Sequence, residues 1–309
     1  MTTAFITHRD CWRHEMGAQH PECPARLDAI QDRLIAAGLD IHLEYHEAPQ
    51  AGMEQLLRAH ARPYVEMLAD SAPQAGIVHL DPDTAMSPGT WDAALRAAGA
   101  GVLAVDLLMQ GQADNVFCAV RPPGHHAERA RAMGFCFFNN VAVAALHAIE
   151  AWGLRRVAIV DFDVHHGNGT EQILSGRDEV LMVGTFQHPF YPYSGTAHPA
   201  ANMLNVPLPA GTRGEGFRQV VSAQWLPRLR EFKPELICIS AGFDAHYEDD
   251  MASLGLVEED YAWVTRELMV LARPPAAAQG RIVSLLEGGY ALSALGRSVA
   301  AHIKVLADL

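Results

Sequence analysis

Apolar residues along the chain come in two rhythms. Short, nearly unbroken runs rich in Val, Ile and Phe fall at 116–120, 157–162, 180–186, 236–241 and 282–286, the pattern of strands buried on both faces. Weaker runs at 4–7, 43–47 and 77–80 extend the set to about eight strands. Between them lie longer stretches with apolar residues three and four apart. The segment 24–37 carries Leu27, Ile30, Leu34 and Ile35, opens on Pro24, which a first helical turn accepts, and stops at Gly38. Ser87-Pro88 opens a helix reaching 108, and further helices are predicted over 140–151, 214–231, 258–272 and 292–307. Doubly buried strands alternating with helices predict a three-layer α/β fold, a mostly parallel central sheet with helices on both faces. No Ser/Gly-rich linker or internal repeat interrupts this alternation, and Pro274-Pro275 reads as a surface loop. Residues 1–309 are therefore expected to form a single domain.

Composition narrows the function. Half of the residues are hydrophobic and 19% are charged, which excludes a disordered chain. The net charge of −13 repels a phosphate backbone, so no nucleic-acid partner is expected and a cationic substrate is favoured. Five Cys form no C-x-x-C pair, which argues against a disulfide framework and for a reducing compartment. The start of the chain lacks a basic segment followed by an apolar one. The apolar stretch 97–105 ends at Asp106, short of the ~20 residues that span a membrane. A cytoplasmic protein with no membrane association is expected.

In open α/β sheets, ligands bind beyond the carboxyl ends of the strands, so the residues just past each strong run are informative. The run 116–120 leads into Arg121-Pro122-Pro123-Gly124-His125-His126, and 157–162 into Asp163-Val164-His165-His166-Gly167-Asn168. The run 236–241 leads into Gly242-Phe243-Asp244-Ala245-His246, and 282–286 into Glu287-Gly288-Gly289-Tyr290. In extended chain, residues two apart point the same way, so Asp163 and His165 offer one oxygen and one nitrogen to a single ion. Asp244 can be the third ligand, leaving an open position as catalytic zinc sites do. A buried Asp–His hydrogen bond is the structural reading of that pair alone; Asp244 and the tandem histidines favour a metal. His125 and His126, held on a stiff Pro-Pro-Gly turn, supply an imidazole able to take a proton from metal-activated water. Asp161, two residues before Asp163, is placed to orient that base. Tyr290 can donate a hydrogen bond to an oxygen that gains charge. No Gly-Lys-Ser/Thr follows the Gly-Gly pair, so a phosphate loop fails, and no Ser sits in a Gly-x-Ser-x-Gly setting. The parts are those of hydrolysis at a carbonyl.

Together these segments resemble the zinc-dependent histone deacetylase family, within the arginase/deacetylase fold. The matching stretches are 20–26, 121–127, 134–140, 161–169, 242–246 and 287–290, in family order. Asn139-Asn140 and Asn168 are similar to the class II branch and its bacterial histone deacetylase-like amidohydrolases, with acetylpolyamine amidohydrolases as close cousins. The resemblance implies one zinc, with ferrous iron as the alternative, on Asp163, His165 and Asp244. It implies His126 as general base, His125 as its electrostatic partner, Asp161 orienting His125, and Asn168 facing His126 as a neutral orienter. It implies that Tyr290 polarises the scissile carbonyl. Phe135 and one of Phe190 or Tyr191 would wall an acyl-lysine tunnel, with Met251 at the rim and the Gly134 carbonyl near the substrate N–H. Arg26 would line an internal acetate cavity, Asp83 would be the rim carboxylate that grips substrate backbone, and a structural potassium would sit on carbonyls with Asp161. The segment 187–192 is shorter than in many members, which leaves the second wall open.

The expected activity is removal of acetyl or other acyl groups from lysine in proteins or peptides. Hydrolysis of acetylated polyamines or other small amides is the alternative. A two-manganese ureohydrolase would need further carboxylates at the strand ends, and a silent binding module would have lost a ligand or the phenol. A homo-oligomer is left open.

Overall fold

In the computed structural model, which describes residues 1–309, the strong apolar runs form the middle of one sheet. Its strands are β1 (Thr3–Thr7), β2 (Leu43–Glu47), β5 (Asn115–Cys118), β6 (Val157–Asp161), β7 (Val180–Gln187), β8 (Met203–Leu208), β9 (Leu236–Ala241) and β10 (Ile282–Leu286). The spatial order is β2-β1-β5-β10-β9-β6-β7-β8, and every neighbouring pair is parallel. The four central strands are buried at every position, as apolar runs without alternation require. Burying one such Val, Leu or Ile contributes about 1.5–3 kcal/mol. The outer strands β2 and β8 are partly exposed and carry Glu44, His46 and Glu47 or Asn205 and Pro207, residues that discourage further pairing at an edge.

Ten α-helices surround the sheet: α1 (Ala25–Ala36), α2 (Met53–Ala59), α3 (Arg62–Ser71), α4 (Thr90–Met109), α5 (Asn140–Glu150), α6 (Asn168–Leu174), α7 (Gly214–Val220), α8 (Leu226–Phe232), α9 (Glu258–Ala272) and α10 (Leu292–Leu306). One packed group joins α1, α9 and α10, and another joins α2, α4 and α5. Helix α4 buries Ala93, Ala94, Ala97, Ala98, Ala100 and Ala104, small side chains that allow close approach. At Gly99 a Cβ would fall 1.9 Å from the Pro49 carbonyl oxygen.

Three expectations are corrected. The run at 77–80 does not join the main sheet. It forms β3 (Val78–Asp81), which pairs antiparallel with β4 (Thr84–Met86) in a separate hairpin, and its exposed Val78 shows why. The helix expected over 214–231 is interrupted by a wide turn at Val221–Trp225, after which α8 starts with a proline in its first turn. The segment after β6 is bent rather than extended, with the Asp163 carboxylate accepting the His165 backbone N–H at 2.8 Å. No helix is long and apolar enough to cross a membrane, and all five cysteines are free thiols.

Candidate active site

The loops after β5, β6, β9 and β10 meet above adjacent strands, because those four are neighbours in the sheet. The β6 loop brings Asp163 and His165, and the β9 loop brings Asp244. One potential ligand atom from each lies within 4.8 Å of the other two, and all three residues are buried. His165 Nδ1 stands 3.0 Å from Asp163 Oδ1 and 3.2 Å from Asp244 Oδ2. The remaining oxygens are aimed by backbone: Val164 N–H donates to Asp244 Oδ1 at 2.9 Å and Gly288 N–H to Asp163 Oδ2 at 2.9 Å. Burial, with the charge of Asp163 added, pushes Asp244 up to about 6. Burial acts against His165, but contact with Asp163 and Asp244 outweighs it and raises the imidazole to about 10. Two acids thus crowd one imidazole at a buried position, an arrangement that a divalent cation would relieve.

The β5 loop places both tandem histidines beside this triad. His125 Nδ1 is 3.0 Å from Asp161 Oδ2, and His126 Nδ1 is 2.7 Å from Asn168 Oδ1. Asn168 is itself fixed by Glu128, whose Oε1 accepts from Asn168 Nδ2 at 2.9 Å. The two rings, 4.1 Å apart between centroids, are driven in opposite directions. Burial opposes charge on His125, yet Asp163 and Asp161 hold it well above the usual imidazole value. Burial lowers His126, and the neighbouring His125 and His165 lower it further. A cationic and a neutral imidazole side by side form an acid–base pair set by environment.

The β10 loop completes the floor. Tyr290 follows Gly289, whose φ of +118° suits glycine, and a Cβ on Gly288 would lie 2.0 Å from Asp244 Oδ2. Burial holds the Tyr290 phenol protonated, well above its ordinary value. A cavity of about 270 Å³ opens over these groups, lined by Asp83, His125, His126, Gly134, Phe135, His165, Phe190, Tyr191, Met251 and Tyr290 among others. Both aromatic candidates for the second wall are there: Phe190 stacks on His165 at 5.6 Å and Tyr191 meets His126 edge-on at 5.3 Å. Phe135 faces the Tyr290 ring at 5.9 Å. Asp83 Oδ1 accepts from Gly134 N–H at 3.2 Å, tying the β3–β4 hairpin to the wall. Arg26 lies outside this cavity and is fully buried under the Tyr290 turn. Its Nε donates to the Gly289 carbonyl at 2.7 Å, and its guanidinium packs 4.9 Å from the Tyr290 ring centroid.

Several supporting residues escaped the sequence reading. Glu287 Oε2 accepts the Gly124 and His125 backbone N–H groups at 2.6 and 3.0 Å, and burial pushes its carboxyl up to about 7. His166 bridges Glu171 at 2.7 Å and Ser194 at 2.8 Å, pinning the loop that carries Phe190 and Tyr191. Asp249 accepts backbone N–H groups from the Tyr290 turn. Glu287 opens the 287–290 stretch already singled out, which is a usable signal; Asp249 and His166 have partners that only the fold brings near.

A family model described as a histone deacetylase domain matches residues 20–306. The chain belongs to the histone deacetylase family. It is 38% identical to the histone deacetylase-like amidohydrolase of Pseudomonas aeruginosa, over 88% of this chain and 73% of that one. It is 35% identical to the polyamine deacetylase HDAC10 of Homo sapiens, over 99% of this chain and 48% of the human one. The crystal structure of the HDA15 HD domain superposes with a TM-score of 0.93 at 34% identity, covering 99% of this chain and 88% of that domain. The histone deacetylase family thus accounts for the fold, and the protein is a hydrolase of amides with deacetylase-type activity, in a family whose members depend on a metal.

Proposed function

We propose that the protein removes acetyl or other acyl groups from the ε-amine of lysine in proteins or peptides, as one catalytic domain over residues 1–309. The observation that carries this is the cavity wall. Phe135, Phe190, Tyr191 and Met251 line an apolar cavity that also includes His165 of the Asp163–His165–Asp244 cluster, with Asp83 as its acidic residue among the lining side chains outside that cluster. An aliphatic lysine stem is matched by such walls. A secondary ammonium inside the cavity would meet apolar surface. The relative that acts on polyamines, together with Asp83, supports acetylpolyamine hydrolysis as the second reading.

The metal fits. Asp244 Oδ2 is buried without a hydrogen-bond partner, and the absence of side chains at Gly242 and Gly288 keeps the space at the carboxylates open, since a Cβ at either would lie 2.0 Å from a carboxylate oxygen. One nitrogen and two carboxylates suit zinc, with ferrous iron as the alternative. Asp163, His165 and Asp244 would hold it. Bound there, zinc supplies Lewis acidity toward the amide carbonyl and makes water a nucleophile near neutral pH. Asn168 keeps the proton of His126 on Nδ1, leaving Nε2 as the base that takes the proton of the attacking water and passes it to the leaving amine. His125, held cationic by Asp161, favours negative charge developing nearby. Tyr290 donates to the carbonyl oxygen as its charge grows, and the Gly134 carbonyl accepts the substrate N–H. The same reading includes a structural potassium held on backbone carbonyls beside the buried Asp161.

The test is a comparison of kcat/KM on an acetyl-lysine peptide and on acetylspermidine, before and after chelation. We expect the peptide to be preferred, activity to vanish with the chelator and stoichiometric zinc to restore it. A strong preference for acetylspermidine would establish the second reading, and activity that survives complete metal removal would refute both.

A further inference from the structure

Tyr290 is the site residue with the least local support. It follows two glycines, and Gly289 at φ +118° is in a region where a glycine backbone resists bending little. Helix α10 begins directly after it, and its N-cap residue, Ala291, has no side chain with which to cap. The support comes from another loop. Asp249, buried to 5% exposure, accepts the Tyr290 N–H at 2.6 Å and the Ala291 N–H at 3.0 Å on Oδ2. Its Oδ1 accepts the Met251 N–H at 3.1 Å. One carboxylate therefore fastens the phenol turn to the same β9 loop that carries Asp244 and the cavity-lining Met251.

We infer that Asp249 is a positioning residue for Tyr290, fixing where the phenol meets the substrate carbonyl through the backbone of the turn. The inference rests on the reading of Tyr290 as hydrogen-bond donor to that carbonyl. Bonds to a carboxylate are charge-assisted and about twice as strong as neutral ones, and a negative group at a helix start is favourable. These terms would stabilise α10 even in a protein with no chemistry to perform, so stability alone cannot identify the role. Position can, because a shift of about 1 Å in a reacting group costs on the order of 100-fold in rate.

The experiment is a double-mutant cycle on the zinc-loaded full chain, with Asp249→Ala, Tyr290→Phe and the pair, and with Asp249→Asn as the same-volume variant in case alanine does not fold. The readouts are kcat, KM for a short acetyl-lysine substrate, zinc content and Tm. Tyr290→Phe is expected to lower kcat by ~100–1000-fold with zinc retained. Asp249→Ala is expected to lower kcat by ~10–100-fold with KM within about threefold and zinc retained, and Asp249→Asn by less, because its one remaining oxygen can still accept. In the Tyr290→Phe background, either Asp249 change should cost no more than about twofold. Equal losses in both backgrounds, or loss of zinc in step with activity, would overturn the inference while leaving the role of Tyr290 intact. An unchanged kcat in Tyr290→Phe would overturn the role of Tyr290 and this inference with it.

Discussion

His60 lies under the loop of the tandem histidines and should make the protein acid-sensitive in a calculable way. Its Nδ1 is 3.0 Å from the Glu128 carbonyl oxygen, to which it donates, and its Nε2 accepts the Asn139 N–H at 2.9 Å. The ring therefore has one proton and one lone pair, both in use, and a second proton would face an N–H. Burial lowers its pKa to about 4, against ~6.5 in an unfolded chain. A histidine depressed on folding contributes its full stability above pH 6.5 and loses it as the pH falls toward 4. At pH 5 the unfolded chain takes up a proton that the folded one refuses, a difference of about 2 kcal/mol, rising to about 3.4 kcal/mol below both values. The assay is urea unfolding at pH 7 and pH 5 for the natural chain and His60→Gln. The variant should lose about 1–3 kcal/mol at pH 7 from a group left unpaired, yet its further loss between pH 7 and 5 should be smaller by about 2 kcal/mol. His302, lowered by burial to about 3 between Thr265 and Ser284, leaves a residual slope in both. If the two proteins lost equal stability between pH 7 and 5, the reasoning about His60 would be wrong.

Three further outcomes are expected. Gly288→Ala, whose methyl would press on Asp244 Oδ2 at 2.0 Å and Asp163 Oδ2 at 2.7 Å, should weaken zinc binding by ~10–100-fold in competition with a chromogenic chelator; unchanged affinity would refute the ligand assignment. Asn168→Ala removes the acceptor that fixes His126 at 2.7 Å and should cut kcat by ~10–100-fold with zinc retained; full activity would mean His126 needs no orienter. Ile239→Ala, at a fully buried position in the middle of β9, should cost about 2–5 kcal/mol in urea unfolding, and a loss under about 1 kcal/mol would show that the core there repacks.

The centre of the fold was readable because its code is simple. Strands β9 and β10 occupy the runs 236–241 and 282–286 as expected, since continuous burial leaves continuous apolar sequence. The periphery was harder. Strand β8 alternates buried positions with Asn205 and Pro207 at an edge, β4 has three residues, and α2 and α3 are too short to establish a period. The break between α7 and α8 was foreshadowed by Pro227. In the candidate site, the grouping of Asp163, His165 and Asp244 and its nearness to the tandem histidines were legible because each chemical group sits at a strand end, where the parallel topology gathers them. His60, Glu128 and Asp249 were not, because their partners are backbone groups or side chains supplied by distant segments. Their contribution depends on tertiary proximity, which composition and spacing do not encode.

The place of β10 in the sheet has a consequence for biosynthesis. This strand is the last of the sheet in chain order, yet it inserts between β5 and β9 rather than adding to an edge. A nascent chain lacking it has a seam through its middle, with two unpaired strand flanks facing each other. The halves bearing the tandem histidines and the acidic cluster can register against each other only when that final ribbon arrives. Competence for hydrolysis is thus withheld until β10 is in place, and a chain made only as far as β9 has an unpaired gap at the centre of its sheet.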